Sequence, residues 1–212
     1  MTLVKICGLS EPETLDAAIA AEADLIGFVF YPPSPRAIDP ARAAGLAERT
    51  PAHIGRVGVF VDPDDDLLDL AVREGRLTAI QLHGSETAAR VLDVKRQFGC
   101  PVWKAAAVRT RSDIDEALKF RGIADCLLFD AKGTGDEILP GGNGLSFDWR
   151  LLEGLGIGMA WCLSGGLDPD NVREARALTR APLVDVSSGV EDTPGVKSAA
   201  KIRAFMKAVR ER

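Results

Sequence analysis

Residues 159–190 read MAWCLSGGLDPDNVREARALTRAPLVDVSSGV and contain the repeating pattern of the whole chain. A short apolar run at 159–164 is followed by a glycine loop, and an amphipathic stretch then leads to a second apolar run at 183–188. Asp168 before Pro169 is typical of a helix start, because an acidic cap often precedes a proline in the first turn. Short apolar runs suit parallel strands that are covered on both faces. The segment is therefore predicted to be a strand–helix–strand unit.

The same alternation extends through the whole chain. Apolar runs rich in β-branched residues lie at 3–7, 25–30, 56–61, 78–83, 102–108, 126–131, 159–164 and 183–188. Eight units in 212 residues give about 26 residues each, which is close to the βα repeat. The first run is not followed by the GxGxxG motif of an open dinucleotide-binding sheet. The sequence therefore predicts an α/β fold with one domain over residues 1–212, a single (β/α)8 TIM barrel.

Capping signals predict where several other helices begin. Ser10 with Glu13 fits a capping box, and Asp62 precedes a proline. The acidic run at 64–66 is expected to complement a helix dipole rather than to bind a metal. The last helix is predicted to begin at Thr193, which also precedes a proline.

Composition and charge argue against several classes of protein. The 26 basic and 31 acidic side chains give a net charge of −5, whereas a nucleic-acid partner requires a basic face. No run approaches the roughly 18 apolar residues of a membrane span, and the N-terminus has no apolar signal core. Four cysteines without a CxxC pair and two histidines would make a poor zinc site. We expect reduced thiols, a cytoplasmic setting, and neither a nucleic-acid nor a membrane partner.

Function in a (β/α)8 barrel is expected at the C-terminal ends of the strands. Lys5 lies two residues before Cys7 on the same strand face, where its charge would favour a thiolate. The alternative is a small buried side chain beside a lysine that extends to solvent. Asp130 closes an apolar strand, where a carboxylate must be paired or protonated. Burial would raise the pKa of Asp130 toward the range in which it donates a proton at neutral pH.

Two other polar residues follow predicted strands. Arg36 ends the loop YPPSPR at 31–36, whose three prolines stiffen the chain and hold the guanidinium near the barrel mouth. Such a group suits bidentate binding of a carboxylate or phosphate, and an ordinary surface arginine is the alternative. His83 ends a strand before Gly84, and it either contacts a ligand or only terminates the strand.

Two glycine loops give the strongest signal for an anion. Gly165 and Gly166 follow the seventh apolar run, and Ser188 and Gly189 follow the eighth. Barrels usually hold a phosphate between these two loops, by backbone N–H groups and a helix N-terminus. Together the loops predict a small phosphorylated ligand. The glycine-rich segment 140–144 is expected to be either a lid or a passive turn.

These motifs together resemble the phosphoribosylanthranilate isomerases of tryptophan biosynthesis. The resemblance spans nearly the whole chain and follows the family's order: VKICGL, GFVFYPPSPR, VGVFV, QLHG, FDA, GGNGLSFDW, LSGGLDPDNV, DVSSGVE and PGVK. It implies a barrel of the ribulose-phosphate-binding type. It also implies an Amadori rearrangement of N-(5-phosphoribosyl)anthranilate to 1-(2-carboxyphenylamino)-1-deoxyribulose 5-phosphate. No metal or redox cofactor is expected, because the aniline nitrogen supplies the electron push.

The resemblance also implies a role for each site residue. Asp130 matches the general acid that opens the ribose ring, and Cys7 matches the general base that removes the C2 proton. Arg36 matches the residue that binds the anthranilate carboxylate, while His83 and Asp185 match residues that line the substrate pocket. The two glycine loops match the phosphate cradle. The family includes monomers and homodimers, so either state is open.

The sequence departs from the family in the loop after the sixth apolar run. The family usually has GGTG followed by a polar pair, whereas this chain has Asn143 and then Gly144-Leu145-Ser146. Asparagine tolerates unusual backbone angles and still forms hydrogen bonds, so we expect altered loop dynamics rather than lost activity.

Three alternative functions remain weaker. A histidine-pathway sugar isomerase would carry an aspartate where the first strand ends in Cys7. An epimerase-like barrel would need a metal site richer in histidine than two residues allow. A non-catalytic barrel that only senses a sugar phosphate would keep the glycine loops but would need neither Cys7 nor Asp130.

Overall fold

Eight parallel strands close into one barrel in a computed structural model that describes residues 2–133, 141–142 and 144–211. The strands follow one another around the barrel in chain order, and the first pairs with the eighth. They are β1 (Leu3–Cys7), β2 (Leu25–Val29), β3 (Gly55–Phe60), β4 (Ala79–Leu82), β5 (Val102–Val108), β6 (Cys126–Ala131), β7 (Ala160–Leu163) and β8 (Leu183–Val186). The predicted (β/α)8 barrel is confirmed, and each strand lies within about two residues of its predicted run.

Helices cover the outside of the barrel. They are α1 (Pro12–Ala20), α2 (Pro40–Arg49), α3 (Asp65–Glu74), α4 (Ala88–Phe98), α5 (Arg111–Ala117), α6 (Val172–Thr179) and α7 (Ala199–Arg210). Between β6 and β7 the described residues form a 3₁₀ turn, Trp149–Leu152, in place of an α-helix. Over the ranges described, none of the helices combines the length and apolar character needed to cross a membrane.

Two of the predicted helix starts are wrong by a few residues. Helix α1 begins at Pro12 with Glu11 at its N-cap, so Ser10 and Glu13 form no capping box; a proline at the first helical position fixes the cap one residue before it. Helix α6 begins at Val172, because the Asp168 carboxylate accepts hydrogen bonds from the N–H groups of residues 170 and 171 and closes a turn before the helix.

The start of α3 is partly as predicted. Its N-cap is Asp64, whose side chain accepts a hydrogen bond from the Leu67 N–H, so the acidic run does lie at the positive end of the helix dipole. Asp62 is not the cap. Its φ of 46° is left-handed, and its carboxylate instead accepts hydrogen bonds from Ser85 in the loop after β4.

The prediction that the last helix begins at Thr193 is also wrong. Residues 191–197 form a short hairpin of β9 (Glu191–Thr193) and β10 (Val196–Lys197), and α7 follows it. A threonine–proline pair suits a turn as well as a helix start. Here Gly195, with φ of 85°, allows the chain to reverse.

Alternating residues of each strand separate an outer core from the barrel interior. Along β6, Leu127 and Phe129 pack in the large cluster between strands and helices, whereas Cys126 and Leu128 belong to a smaller cluster inside the barrel. The next inward position along β6 is Asp130, at the C-terminal end. The apolar interior therefore ends just below a layer of polar groups.

Gly45 offers a test of helix stability remote from the barrel mouth. It lies exposed in α2, and a Cβ added there would meet no atom within 4 Å. We expect Gly45→Ala to raise the free energy of unfolding by roughly 0.5–1 kcal/mol. Gly99 is the matched control: its Cβ position is equally open, but its φ of 63° is left-handed, so Gly99→Ala should lower stability. Urea midpoints measure both; equal shifts for the two variants would contradict this account.

Candidate active site

A cavity opens at the C-terminal ends of the strands. Eight of the nine predicted site residues line it: Cys7, Arg36, His83, Asp130, Gly165, Gly166, Asp185 and Ser188. Gly189 lies just behind the wall, so close to the backbone oxygen of Leu167 that no Cβ would fit. The barrel thus brings together residues from opposite ends of the chain.

Lys5 is the fully buried cation below this cavity. Its Nζ donates hydrogen bonds to Asp185 Oδ1 and to Gln81 Oε1, each at 3.0 Å. The parallel pairing of β1 with β8 places Lys5 directly beside Asp185. Burial alone would lower the pKa of Lys5, but the Asp185 carboxylate and the Cys7 thiol raise it above its usual value. Lys5 is therefore charged at neutral pH.

Cys7 ends β1 on the same face as Lys5 and is buried. Burial raises the pKa of the thiol above its usual value, and the positive charge of Lys5 opposes this only in part. The charge of Lys5 thus favours the thiolate as expected, but the net shift of the Cys7 pKa is upward. The physical reason is that desolvation and the nearby Asp185 carboxylate together outweigh one cation.

Asp130 is buried near the end of β6, lines the same cavity and has two polar nitrogen neighbours. Its Oδ2 lies 3.2 Å from His83 Nε2, and its Oδ1 accepts a hydrogen bond of 2.9 Å from the Ala131 N–H. Gly141 packs so closely against the carboxyl that a Cβ there would lie 2.5 Å from Oδ2, and a Cβ at Gly165 would lie 3.1 Å from Oδ1. The carboxyl orientation is therefore fixed by its surroundings.

Arg36 is buried and already has a bidentate carboxylate partner. Its Nε and Nη2 donate to the two oxygens of Glu191 at 2.7 and 2.8 Å, and Nη2 also donates to the Gly142 carbonyl at 3.0 Å. Burial alone would raise the pKa of Glu191, but the hydrogen bond from Arg36 and the charge of Lys197 lower it. The alternative of an ordinary surface arginine is excluded by this burial.

Sequence reasoning missed three residues of this site: Gln81, Glu191 and Lys197. Gln81 joins Lys5 to His83, while Lys197 bonds both the Glu191 carboxylate and the Ser187 carbonyl. The signal was present in the motifs QLHG, DVSSGVE and PGVK, which carry these residues. Gln81 and Glu191, however, bond to Lys5 and Arg36, which lie 76 and 155 positions away along the chain.

The two glycine loops meet at one side of the cavity. Gly165 and Gly166 have φ of 86° and 65°, and Ser188 begins a 3₁₀ turn after β8. In the described part of the chain, the backbone N–H groups of Gly166, Ser188 and Gly189 take part in no hydrogen bond. They are available to an anion.

Asn143, the departure from the family pattern, lies outside the described residues, as do residues 134–140. Gly141, Gly142 and Gly144 around it line the cavity. Among the residues that are described, no three His, Cys, Asp or Glu side chains form a group that could hold a metal ion.

A closed barrel with its cavity at the C-terminal strand ends defines the class of (β/α)8 enzymes, in which a phosphate is frequently bound by the loops after the seventh and eighth strands. A comparison with known protein families identifies the family within this class. The family model described as N-(5'phosphoribosyl)anthranilate (PRA) isomerase matches residues 4–208, and the chain belongs to this family.

Individual relatives agree with this assignment. The N-(5'-phosphoribosyl)anthranilate isomerase of Paracoccus denitrificans is 54% identical over 203 residues, which cover 96% of this chain and 94% of the relative. The crystal structure of phosphoribosyl anthranilate isomerase from Thermotoga maritima is similar with a TM-score of 0.89 at 36% identity, covering 99% of both chains. Another isomerase structure holds reduced 1-(o-carboxyphenylamino)-1-deoxyribulose 5-phosphate; its TM-score is 0.84 at 35% identity, again covering 99% of both.

Proposed function

We propose that this chain converts N-(5'-phosphoribosyl)anthranilate to 1-(2-carboxyphenylamino)-1-deoxyribulose 5-phosphate, an isomerisation of tryptophan biosynthesis. Family membership over nearly the whole chain supports the activity. The observation that carries the mechanism is that Cys7 and Asp130, which lie far apart in the sequence, line one cavity. One general base and one general acid are what an aldose–ketose isomerisation needs.

Asp130 acts as the general acid. Its protonated carboxyl gives a proton to the ribose ring oxygen, the C1–O bond breaks, and the nitrogen lone pair forms the C1=N bond of a Schiff base. The Ala131 N–H holds one carboxyl oxygen, the other lies 3.2 Å from His83 Nε2, and the carboxyl lines the cavity. Fixing the acid before the reaction avoids the cost of orienting it in the transition state.

Cys7 acts as the general base. Its thiolate removes the C2 proton of the Schiff base, the electron pair forms the C1=C2 bond of an enolamine, and the C=N electrons return to nitrogen. The enolamine then gains a proton at C1 and loses the one on the C2 oxygen, which gives the ketone. Lys5 and Lys197 both favour the thiolate form of Cys7, so they stabilise the base when it ionises.

Arg36 and Asp185 supply binding contacts. Among the described residues, Glu191 and the Gly142 carbonyl accept from Nε and Nη2 of Arg36, which leaves the Nη1 donors for the anthranilate carboxylate. Asp185, held by Lys5 and by the Ser164 hydroxyl, lines the cavity where the sugar hydroxyls would lie.

The glycine loops hold the 5'-phosphate. Backbone N–H groups of Gly165, Gly166, Ser188 and Gly189 surround the place where β7 and β8 end, and none of them needs a side chain to act. Backbone donors fixed by a rigid barrel bind an anion without paying for side-chain ordering. The same loops would also serve a non-catalytic sugar-phosphate sensor.

The activity is tested by incubating the purified chain with freshly prepared N-(5'-phosphoribosyl)anthranilate and following the loss of its fluorescence. We expect decay far faster than the spontaneous breakdown, with the ketose product identified by mass and chromatography. Decay at the spontaneous rate, with the ligand nevertheless bound, would support the sensor and overturn the isomerase.

Gly141→Ala is expected to damage the acid without unfolding the chain. A Cβ at residue 141 would lie 2.5 Å from Asp130 Oδ2 and 2.8 Å from His83 Nε2, so this pair must move. Small displacements of reacting groups are costly, and we expect kcat to fall by about tenfold or more. Gly156→Ala, where the added Cβ meets nothing within 4 Å, is the matched control. Unchanged kcat in Gly141→Ala would show that the acid is not held as described.

A further inference from the structure

We infer that Lys5 and Gln81 are positioning residues that fix the proton of the His83 ring on Nε2, and thereby present an N–H group to the Asp130 carboxyl. The hydrogen-bond chain runs from β8 through β1 and β4 to β6 across the barrel. The tautomer follows from the structure alone; its consequence for catalysis rests on the proposed function.

The hydrogen-bond chain begins at the Lys5 ammonium, a group that can only donate. The Lys5 ammonium has three N–H donors and no acceptor, so the Gln81 atom 3.0 Å from it must be the carbonyl oxygen. Lys5 stays in place because Asp185 accepts at 3.0 Å from its other side, and the Ser164 hydroxyl lies 3.3 Å from that carboxylate. Lys5 is 0% exposed and Gln81 is 1% exposed, so bulk water does not replace either partner.

The orientation of Gln81 then decides the state of His83. With Oε1 turned to Lys5, the amide Nε2 lies 3.1 Å from His83 Nδ1. An amide NH₂ group donates and does not accept, so Nδ1 must be the unprotonated nitrogen. In a neutral imidazole the proton is then on Nε2, which lies 3.2 Å from Asp130 Oδ2.

The consequence is that both oxygens of the Asp130 carboxyl have an N–H group close by. The Ala131 N–H donates a hydrogen bond to Oδ1, and His83 Nε2 lies 3.2 Å from Oδ2. If His83 carried its proton on Nδ1 instead, two donors would oppose each other at Gln81, and Nε2 would have no proton to present to Asp130. Lys5 excludes that arrangement because its ammonium can only donate and therefore keeps the Gln81 carbonyl oxygen turned toward it.

Nitrogen NMR of the chain labelled with ¹⁵N-histidine tests the tautomer directly. The sequence has two histidines, and His53 is exposed, so it provides an internal reference for a ring that exchanges with water. We expect His83 to show a protonated Nε2 and an unprotonated Nδ1. A His83 ring protonated at Nδ1 would overturn the inference, whatever the isomerase assay shows.

Gln81→Glu tests the role of Gln81. A carboxylate beside Lys5 can only accept from Nδ1, so the His83 Nδ1 resonance should become that of a protonated nitrogen. Either the ring becomes neutral Nδ1–H and no longer presents an N–H group to Asp130, or it becomes a cation that stabilises the ionised carboxyl. In the first case the carboxylate formed by proton transfer loses a stabilising neighbour, and in the second the carboxyl is ionised before it can give a proton. We therefore expect kcat to fall by about tenfold to hundredfold with a smaller change in KM.

The matched control is Gln97→Glu, which makes the same change of charge at an exposed position of α4. It should alter neither the His83 resonances nor kcat. Gln81→Met removes the amide without adding charge, so the proton of the His83 ring should no longer be confined to Nε2. This variant replaces Gln81→Glu in the test if the glutamate variant is unstable. The assignment of Gln81 would be overturned if Nδ1 stayed unprotonated in Gln81→Glu, or if kcat did not fall although the tautomer had changed. If the His83 resonances were as expected but the chain had no isomerase activity, only the proposed function would be overturned.

Discussion

Asp130→Asn is expected to lower kcat for N-(5'-phosphoribosyl)anthranilate by about 10²–10⁴-fold, the usual contribution of a positioned proton donor. The amide has the shape of the carboxyl and can still accept from the Ala131 N–H, but it has no acidic proton to give to the ring oxygen. The measurement is the initial rate of fluorescence loss at saturating substrate.

Two controls separate this loss from a structural one. Asp115→Asn makes the same substitution at an exposed position of α5 and should keep full activity. Asp130→Asn should also bind reduced 1-(o-carboxyphenylamino)-1-deoxyribulose 5-phosphate within a few-fold of the parent chain, because that compound needs no proton transfer. A kcat near the parent value would remove Asp130 from the mechanism.

Cys7→Ala is expected to lower kcat by a similar factor, about 10²–10⁴-fold, because it deletes the base that receives the C2 proton. Ring opening by Asp130 does not need the thiol, so substrate that binds should stop at the Schiff base. Cys162→Ala is the matched control: it removes a thiol equally buried inside the barrel but below the cavity, and should change stability more than kcat. A Cys7→Ala enzyme with near-full activity would assign the base elsewhere.

The pH dependence provides a second test of Cys7. A base acts in its ionised form, and burial raises the pKa of Cys7 above its usual value. The rate should therefore rise with pH, and the rising limb should lie above the range of an exposed cysteine. A rising limb on the acid side of that range would contradict the assignment of the base to Cys7.

The barrel could be predicted from the sequence because its strands are buried on both faces. Cys126–Ala131 is such a run, and the strand has exactly those bounds in the structure. Helix starts were less predictable, because capping signals are local and ambiguous. Thr193 followed by proline begins a hairpin turn because Glu191 and Lys197 bond to each other across it.

Of the site residues, those that mark the ends of strands could be predicted from the sequence. Cys7 and Asp130 interrupt apolar runs and are visible for that reason, whereas Gln81 is an ordinary polar residue until Lys5, 76 positions away, is placed beside it. Glu191 gains its role from Arg36, 155 positions away. Contacts at such separations depend on closure of the barrel, and no local pattern carries them.

The most direct test of the central claim is a crystal structure of this chain with reduced 1-(o-carboxyphenylamino)-1-deoxyribulose 5-phosphate bound. The proposed mechanism predicts Cys7 Sγ within about 3.5 Å of C2 of the sugar chain. It also predicts an Asp130 oxygen within about 3.2 Å of the oxygen on C4. A complex in which either side chain is turned away from those atoms, or in which the phosphate lies away from the two glycine loops, would contradict it.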